Sequence, residues 1–159
     1  MGEVVSIHLV RQRDGAAEAV DRVMALTNYG LDGDSRSRQN RGGQLTLIEA
    51  EALAEIGHVL GYPVPPGASR RQIVVRGIRL NELIGQRVRL GAARVFVETP
   101  CDPCARMEKT IGAGAWAALE GRGGVRCHVL TGGEICLGDP LIEEPFQEEV
   151  LERATARGR

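Results

Sequence analysis

The chain has 159 residues and a mass of 17.1 kDa, enough for one domain with its own hydrophobic core. A hydrophobic fraction of 43% and a charged fraction of 26% exclude an intrinsically disordered chain. The formal net charge of −1 argues against a nucleic-acid-binding protein, because such binding needs many basic residues to neutralise phosphates. No apolar run approaches the ~20 residues that span a bilayer, and the first residues lack the pattern of a signal peptide. We therefore expect a cytoplasmic protein that binds no membrane.

The first part of the chain predicts short strands and one clear helix. Alternating apolar residues predict a strand over Val4–Val10, whereas residues 19–26 fit either a strand or a helix. The polar, glycine-rich stretch 28–43 is too long for a simple turn, and long ordered loops are often functional. Leu45–Ile48 reads as a buried strand. The spacing of apolar residues then predicts a helix over Glu49–Leu60 that ends at the following glycine.

The second part of the chain predicts more short strands than helices. Strands are predicted over Ile73–Val75, Arg87–Leu90, Ala93–Val97, Val125–Leu130 and a final Ile135–Leu137, and helical structure over Ala105–Leu119 with an interruption near Gly112 and Gly114. Many short strands separated by Gly and Pro turns indicate a mostly β fold, a closed or partly closed barrel with a few peripheral helices. We expect one such domain over residues 1–142. A C-terminal helical extension over residues 143–159 follows, with an amphipathic helix introduced by Pro145.

The four cysteines allow a metal site or redox chemistry. Cys101 and Cys104 have the spacing of half a structural zinc site. Cys127 and Cys136 fit the other half poorly, because eight residues separate them and Cys127 shares its strand face with valines, as a small core residue would. A thiol–disulfide oxidoreductase also carries a CxxC motif, but usually at a helix start within a βαβ pattern, which this sequence lacks.

Cys104 alone fits a third chemistry, that of a single reactive thiol. It follows Pro103 and precedes a predicted helix in which Arg106 and Lys109 lie within the next two turns. Positive surroundings favour the thiolate form of cysteine. A thiolate attacks electrophiles, carries a sulfur atom or binds a soft metal.

Five segments, taken in order, resemble the MOSC domain, the C-terminal domain of molybdenum cofactor sulfurases. They are GLDGDSRSR, QLTLIEAEAL, RRQIVVRGIRLNELIGQRVRLGAARVFVE, TPCDPCARMEKTIG and GRGGVRCHVLTGGEICLGD, which together span residues 30–139. The resemblance implies a mostly β barrel with helices packed outside it. It also implies a catalytic or metal-ligating cysteine, preceded by proline, that corresponds to Cys104. Such proteins bind a molybdenum-pterin cofactor, carry sulfur or reduce N-hydroxylated compounds.

The resemblance further implies where a cofactor would bind. Gly33 and Asp34 correspond to the family's cofactor loop. Arg71 and Arg122 correspond to anion contacts, since guanidinium groups suit the pterin phosphate. Charge and position add Arg38, Arg76 and Arg106 as further candidates. The implied partners are the small-molecule cofactor or a substrate, and a protein that donates sulfur or transfers electrons.

Two positions depart from the family's pattern. Ser35 stands after the Gly-Asp pair where many members carry His or Arg, and Gln72 stands where Asn commonly follows the paired arginines. We therefore keep a second reading, a non-catalytic barrel that binds an anionic ligand. Pyridoxal phosphate is not expected, because it needs a Schiff-base lysine, Lys109 is the only lysine, and the chain has no room for a desulfurase domain.

Overall fold

The computed structural model describes residues 1–144. The strands are β1 (Gly2–Val10), β2 (Ala17–Val20), β3 (Arg22–Leu26), β4 (Gly30–Leu31), β5 (Leu45–Glu49), β6 (Ile73–Arg76), β7 (Arg87–Leu90), β8 (Ala93–Pro100), β9 (Val125–Thr131), β10 (Gly133–Cys136) and β11 (Pro140–Glu143). The helices are α1 (Ala50–Leu60), α2 (Ala105–Ile111) and α3 (Ala115–Ala118). The predicted C-terminal helix after Pro145 lies outside the described residues.

Seven strands close into a barrel, which confirms the predicted fold class. They follow one another in the order β1, β11, β7, β8, β9, β5, β6 and back to β1. All neighbours are antiparallel except β5 and β6, which are parallel because α1 lies between them in the chain and returns it to the same end. Strand β2 pairs with β1 beside the barrel, and β10, β3 and β4 form a small second sheet.

The barrel interior is filled by the apolar residues that alternate along each strand. Val125, Cys127 and Val129 of β9 are fully buried, so the predicted core role of Cys127 is confirmed. A second apolar cluster lies outside the barrel, where Ile48 and Met107 join strand residues to the helices. The helices therefore pack against the outer surface of the sheet. No helix within residues 1–144 is long and apolar enough to cross a bilayer.

Two predicted elements differ in the structure, and one strand was not predicted. The ambiguous stretch 19–26 belongs to two strands, β2 and β3, which separate at Asp21. The predicted final strand over Ile135–Leu137 is β10, which pairs with β3, and β11 follows it. Strand β11 has only two apolar residues between its proline and an acidic end, so its sequence carries too little alternation to be recognised.

Candidate functional site

Cys104 lies at the N-terminal end of α2, on the loop that leaves β8. Its side chain is exposed, whereas Cys101 at the other end of the CxxC motif is buried. The N–H group of Cys101 donates to the carbonyl oxygen of Gly124 at 2.8 Å, which ties this loop to the start of β9. Both thiols are free, and the four residues of the motif form no turn. The loop thus presents one thiol to solvent and keeps the other inside.

Arg71 joins the loop that carries Cys104 to the loop that precedes β9. Its buried side chain donates from Nε to the carbonyl oxygen of Gly123 at 2.7 Å. Its Nη2 donates to the carbonyl oxygens of Cys101 at 3.2 Å and Asp102 at 3.0 Å. Burial lowers the pKa of Arg71, and its electrostatic interaction with Cys101 and Cys104 opposes that shift. Arg71 therefore positions residues 101–104, which we call the cysteine loop, through three hydrogen bonds.

A second wall of the site is formed by neighbouring residues of β5, β6 and β9. Thr46 and Arg126 are cross-strand partners, and a hydrogen bond to Cys101 raises the pKa of Arg126. Gln72 is buried, and its Oε1 accepts a hydrogen bond from the N–H group of Thr46 at 2.9 Å. Within residues 1–144, its Nε2 has no hydrogen-bond partner. Since an unpaired buried donor costs about 1–3 kcal/mol, a ligand oxygen at this position would be stabilising.

The Gly-Asp loop contributes a third element. The Asp34 carboxylate is fully buried and accepts hydrogen bonds from the N–H groups of Val10 at 3.1 Å and Arg36 at 2.9 Å. The Arg36 guanidinium also donates to it, from Nε at 3.0 Å and Nη2 at 2.9 Å. Burial alone would raise the pKa of Asp34, but these hydrogen bonds outweigh burial and lower it. Arg36 is thereby fixed beside Arg70, to whose carbonyl oxygen its Nη1 donates at 2.5 Å.

Five guanidinium groups interact electrostatically around the cysteine loop. Burial lowers the pKa of Arg70, and the charges of Arg106 and Arg36 lower it further. The charges of Arg126 and Arg36 act on Arg71 in the same direction. We call this group the arginine rim; it consists of Arg36, Arg70, Arg71, Arg106 and Arg126. Two members pair with carboxylates, Arg36 with Asp34 at 2.9 Å and Arg106 with Asp14 at 2.5 Å. The charges of Asp102 and Glu98 act on Arg126.

The structure distributes the predicted site residues unevenly. Asp34, Arg71 and Arg106 gather with Cys104, and Gly33 precedes Asp34 in a turn with φ +82°. Arg76 ion-pairs with Glu3 at 2.7 Å, at the opposite end of β6 from Arg71. Arg122 ion-pairs with Glu49 at 3.6 Å and with Glu55, beside α1. Arg38 is exposed on the long loop. The ligand role of each stays a prediction.

Sequence reasoning missed three members of the rim. Arg36 follows the Gly-Asp pair by two residues, so its proximity could have been inferred from that loop. Arg126 lies on the outward face of β9, which the strand alternation shows. Arg70 lacked any signal, because its place depends on the 3-10 helix Pro66–Ser69 that ends at its left-handed backbone conformation, φ 62°.

The four cysteines do not converge on a zinc site. Cys127 lies inside the barrel, where burial raises the pKa of its thiol. Cys136 lies on the small sheet and donates a hydrogen bond to Glu134 at 3.2 Å. Within residues 1–144, no group of three or more His, Cys, Asp and Glu side chains is placed to hold a metal ion.

Comparison with known protein families identifies the family of this chain. Residues 34–142, more than half of the chain, match the MOSC domain. The chain belongs to the MOSC domain family. The match begins at Asp34 and includes the cysteine loop and the strands β5 to β8 that lie between the two.

Solved structures share the fold of this MOSC domain. YuaD from Bacillus subtilis superposes with a TM-score of 0.77 at 18% sequence identity, covering 92% of this chain and 98% of that protein. YiiM from Geobacillus stearothermophilus has a TM-score of 0.69 at 19% identity, covering 91% and 76%. YiiM from Escherichia coli has a TM-score of 0.69 at 18% identity, covering 91% and 70%. A search of curated proteins finds no significant match. At these identities the similarity establishes the fold alone.

Proposed function

We propose that this MOSC domain binds a molybdenum-pterin cofactor between Cys104 and the arginine rim. The observation that carries the proposal is the exposed Cys104 thiol on a loop that the Arg71 guanidinium holds, together with the buried amide of Gln72, the residue after Arg71, whose Nε2 has no hydrogen-bond partner within residues 1–144. Guanidinium groups bind phosphate through paired, charge-assisted hydrogen bonds. A thiolate is the kind of soft ligand that such a metal accepts.

The exposure and hydrogen bonds of each residue indicate which part of the cofactor it would contact. Arg126 is exposed on the outward face of β9, so it would bind the cofactor's phosphate. Arg36 would hold the Gly-Asp loop, because its Nε, Nη1 and Nη2 already donate to Asp34 and to the carbonyl oxygen of Arg70. Gln72 would donate from Nε2 to an oxygen of the pterin, and Cys104 would ligate the metal. Arg71 acts through the loop, because its donors already hold three carbonyl oxygens. The bound cofactor would supply the redox or sulfur-transfer chemistry.

The exposure of Cys104 also supports a second role, sulfur carriage. A persulfide on Cys104 would place its outer sulfur at the surface, within reach of an acceptor thiolate. The acceptor sulfur bonds to the outer sulfur, the S–S bond on Cys104 breaks, and the Cys104 thiolate leaves with the electron pair. The step conserves atoms and electrons and returns the free thiol. A partner protein would present the acceptor.

Native mass spectrometry tests both roles. The protein is purified without reductant from a host that makes the molybdenum cofactor, alongside Cys104→Ala and Cys136→Ala. Cys136 is a matched control, because its thiol is partly exposed but lies on the small sheet. We expect a molybdenum-pterin adduct, or one extra sulfur atom, in the parent and in Cys136→Ala, and the bare mass in Cys104→Ala.

Two outcomes would contradict the proposal. A cofactor adduct that persists in Cys104→Ala would remove the thiolate ligand from the mechanism. A bare chain in all three samples would favour the second reading, a barrel that binds another anionic ligand. In that case Arg126→Ala should weaken phosphate binding, measured by calorimetry, while Cys104→Ala should leave it unchanged.

A further inference from the structure

The loop that joins β1 to β2 contacts two guanidinium groups of the arginine rim. We call residues 11–16 the hairpin loop. Arg106 Nη1 donates to Asp14 Oδ1 at 2.5 Å, and Arg70 Nη1 donates to the carbonyl oxygen of Gly15 at 3.1 Å. Because Asp14 and Gly15 are adjacent in the chain, the two guanidinium groups lie close together.

Both guanidinium groups have N–H donors left for another acceptor. A guanidinium carries five N–H donors. In the part of the chain that the structure describes, the contact with the hairpin loop is the only hydrogen bond that the side chain of Arg70 or Arg106 donates. The two side chains can therefore bind an anion through several N–H groups at once.

The Asp14 carboxylate is held by charge and not by burial. Its side chain is 64% exposed and that of Arg106 is 48% exposed, and ion pairs at such exposure contribute little to stability. The hydrogen bond and the charge of Arg106 lower the pKa of Asp14, and the charges of Arg13 and Arg70 act in the same direction. The position thus favours a negative charge, and another anion can replace this carboxylate at little cost to the fold.

The same two arginines belong to the surroundings of the reactive thiol. Arg106 follows Cys104 by two residues, in the first turn of α2. Arg70 precedes Arg71, whose guanidinium holds the cysteine loop. An anion bound by Arg70 and Arg106 would therefore lie beside the loop that carries Cys104, on the side of the hairpin loop.

We propose that Arg70 and Arg106 form a subsite for a carboxylate of the substrate, and that the Asp14 carboxylate fills this subsite until the substrate displaces it. The ligand class follows from the group that it replaces, because a guanidinium pairs well with a carboxylate. The subsite is separate from the cofactor's phosphate, which is assigned to Arg126. The inference rests on the proposed function in one respect, that Cys104 is the reacting thiol.

Alkylation of Cys104 tests the subsite with a carboxylate probe. Iodoacetate carries a carboxylate, iodoacetamide is its neutral counterpart, and both form the same kind of thioether bond to the cysteine sulfur. The ratio of their rates therefore reports attraction of the carboxylate, and changes in thiol reactivity cancel. Rates are measured by peptide mass spectrometry on the 159-residue chain from a host that does not make the molybdenum cofactor, with Cys136 as the internal reference.

Asp14→Asn should raise the iodoacetate-to-iodoacetamide ratio at Cys104 by about fivefold, because the competing carboxylate is removed. Asparagine tolerates the left-handed φ of 62° at this position, so the hairpin loop should keep its shape. Glu18→Gln is the matched control, since it removes the same charge from an exposed ion pair with Arg11 in the same hairpin. It should change the ratio by less than about twofold.

Removal of the subsite should have the opposite effect. Arg106→Gln should lower the ratio at Cys104 by about fivefold, whereas Lys109→Gln, which removes a positive charge three residues further along α2, should lower it by less than about twofold. Equal ratios in the parent, Asp14→Asn and Arg106→Gln would overturn the subsite. So would equal shifts in Asp14→Asn and Glu18→Gln, because general electrostatic attraction would then explain both.

The alkylation ratios and the native mass measurement fail separately. A cofactor adduct that depends on Cys104, together with ratios that no variant changes, would overturn the subsite and leave the cofactor proposal intact. Ratios that shift as expected in a chain that never acquires the cofactor would support the subsite and count against the cofactor proposal alone.

Discussion

The Asp34 carboxylate accepts four hydrogen bonds, three of them from Arg36 and one from the backbone of β1. A buried carboxylate is stable only when its oxygens are paired in this way. The family resemblance placed Asp34 in a cofactor loop. The sequence could not show that the carboxylate points into the protein and fixes an arginine, because both partners depend on how the loop folds over β1.

Replacing Asp34 by Asn should destabilise the fold by about 2–4 kcal/mol, because the amide presents a donor to groups that are themselves donors. The measurement is urea unfolding at pH 7. Asp32→Asn, at an exposed position of the same loop, is the matched control and should change stability by less than about 0.5 kcal/mol. Equal effects of the two variants would show that the Asp34–Arg36 pair is not formed.

The same pair predicts a pH dependence of stability. The pKa of Asp34 is lowered in the folded protein, so the ionised form is favoured by folding. Its contribution is complete above the unfolded pKa and is lost as the pH falls through the lower folded pKa. The difference in unfolding free energy between the parent and Asp34→Asn should therefore be constant near neutral pH and shrink below the ordinary value of 3.8. A difference that grows on acidification would contradict this assignment.

At the scale of elements, hydrogen bonds from Arg71 hold the cysteine loop and the loop before β9 together. The sequence predicted helical structure from Ala105, and α2 begins there. The family resemblance implied that Arg71 contacts an anion. The structure shows that this side chain holds backbone carbonyls on two loops, which are far apart in sequence. Spacing alone could not reveal that connection, because it exists only after β6, β8 and β9 have come together.

Arg71→Lys should loosen the cysteine loop, because one ammonium group cannot reproduce a planar fork that spans three carbonyl oxygens. We expect a loss of about 2 kcal/mol in unfolding free energy and much faster alkylation of the buried Cys101. Arg76→Lys alters an exposed ion pair at the end of β6, five residues after Arg71, and serves as the control. If Cys101 stayed as slow to react in Arg71→Lys as in the parent, Arg71 would not be the link between the loops.

At the scale of the whole molecule, the barrel exists because β11 pairs with both β1 and β7. Composition and short strands were enough to predict a barrel. They were not enough to predict β11, nor the pairing of β10 with β3 in a separate sheet, because pairing is decided by contacts between distant segments. The strands with clear alternation, such as β1 and β9, were the ones found from sequence.

Leu141 should be the residue of β11, the strand that closes the barrel, that contributes most to the free energy of unfolding. Leu141 is fully buried, and Leu141→Ala should cost about 2–5 kcal/mol. Its neighbour Ile142 is 39% exposed on the outer face, so Ile142→Ala should cost clearly less. Thermal unfolding of the two variants measures the difference. Similar melting temperatures would mean that β11 does not close the barrel as described.

The pairing of Gly2 with Leu141 also has a consequence for folding during synthesis. Strand β1 precedes β11 by more than 120 residues, so this pair forms only after β11, the last strand described, has been made. Until then β7 and the Gly2–Glu3 end of β1 lack this neighbour, and unpaired edges are templates for association with other chains. Pairing between such distant segments also slows folding, since a long loop must close before the contacts form. The partly synthesised chain must therefore avoid aggregation until β11 has been made and can close the barrel.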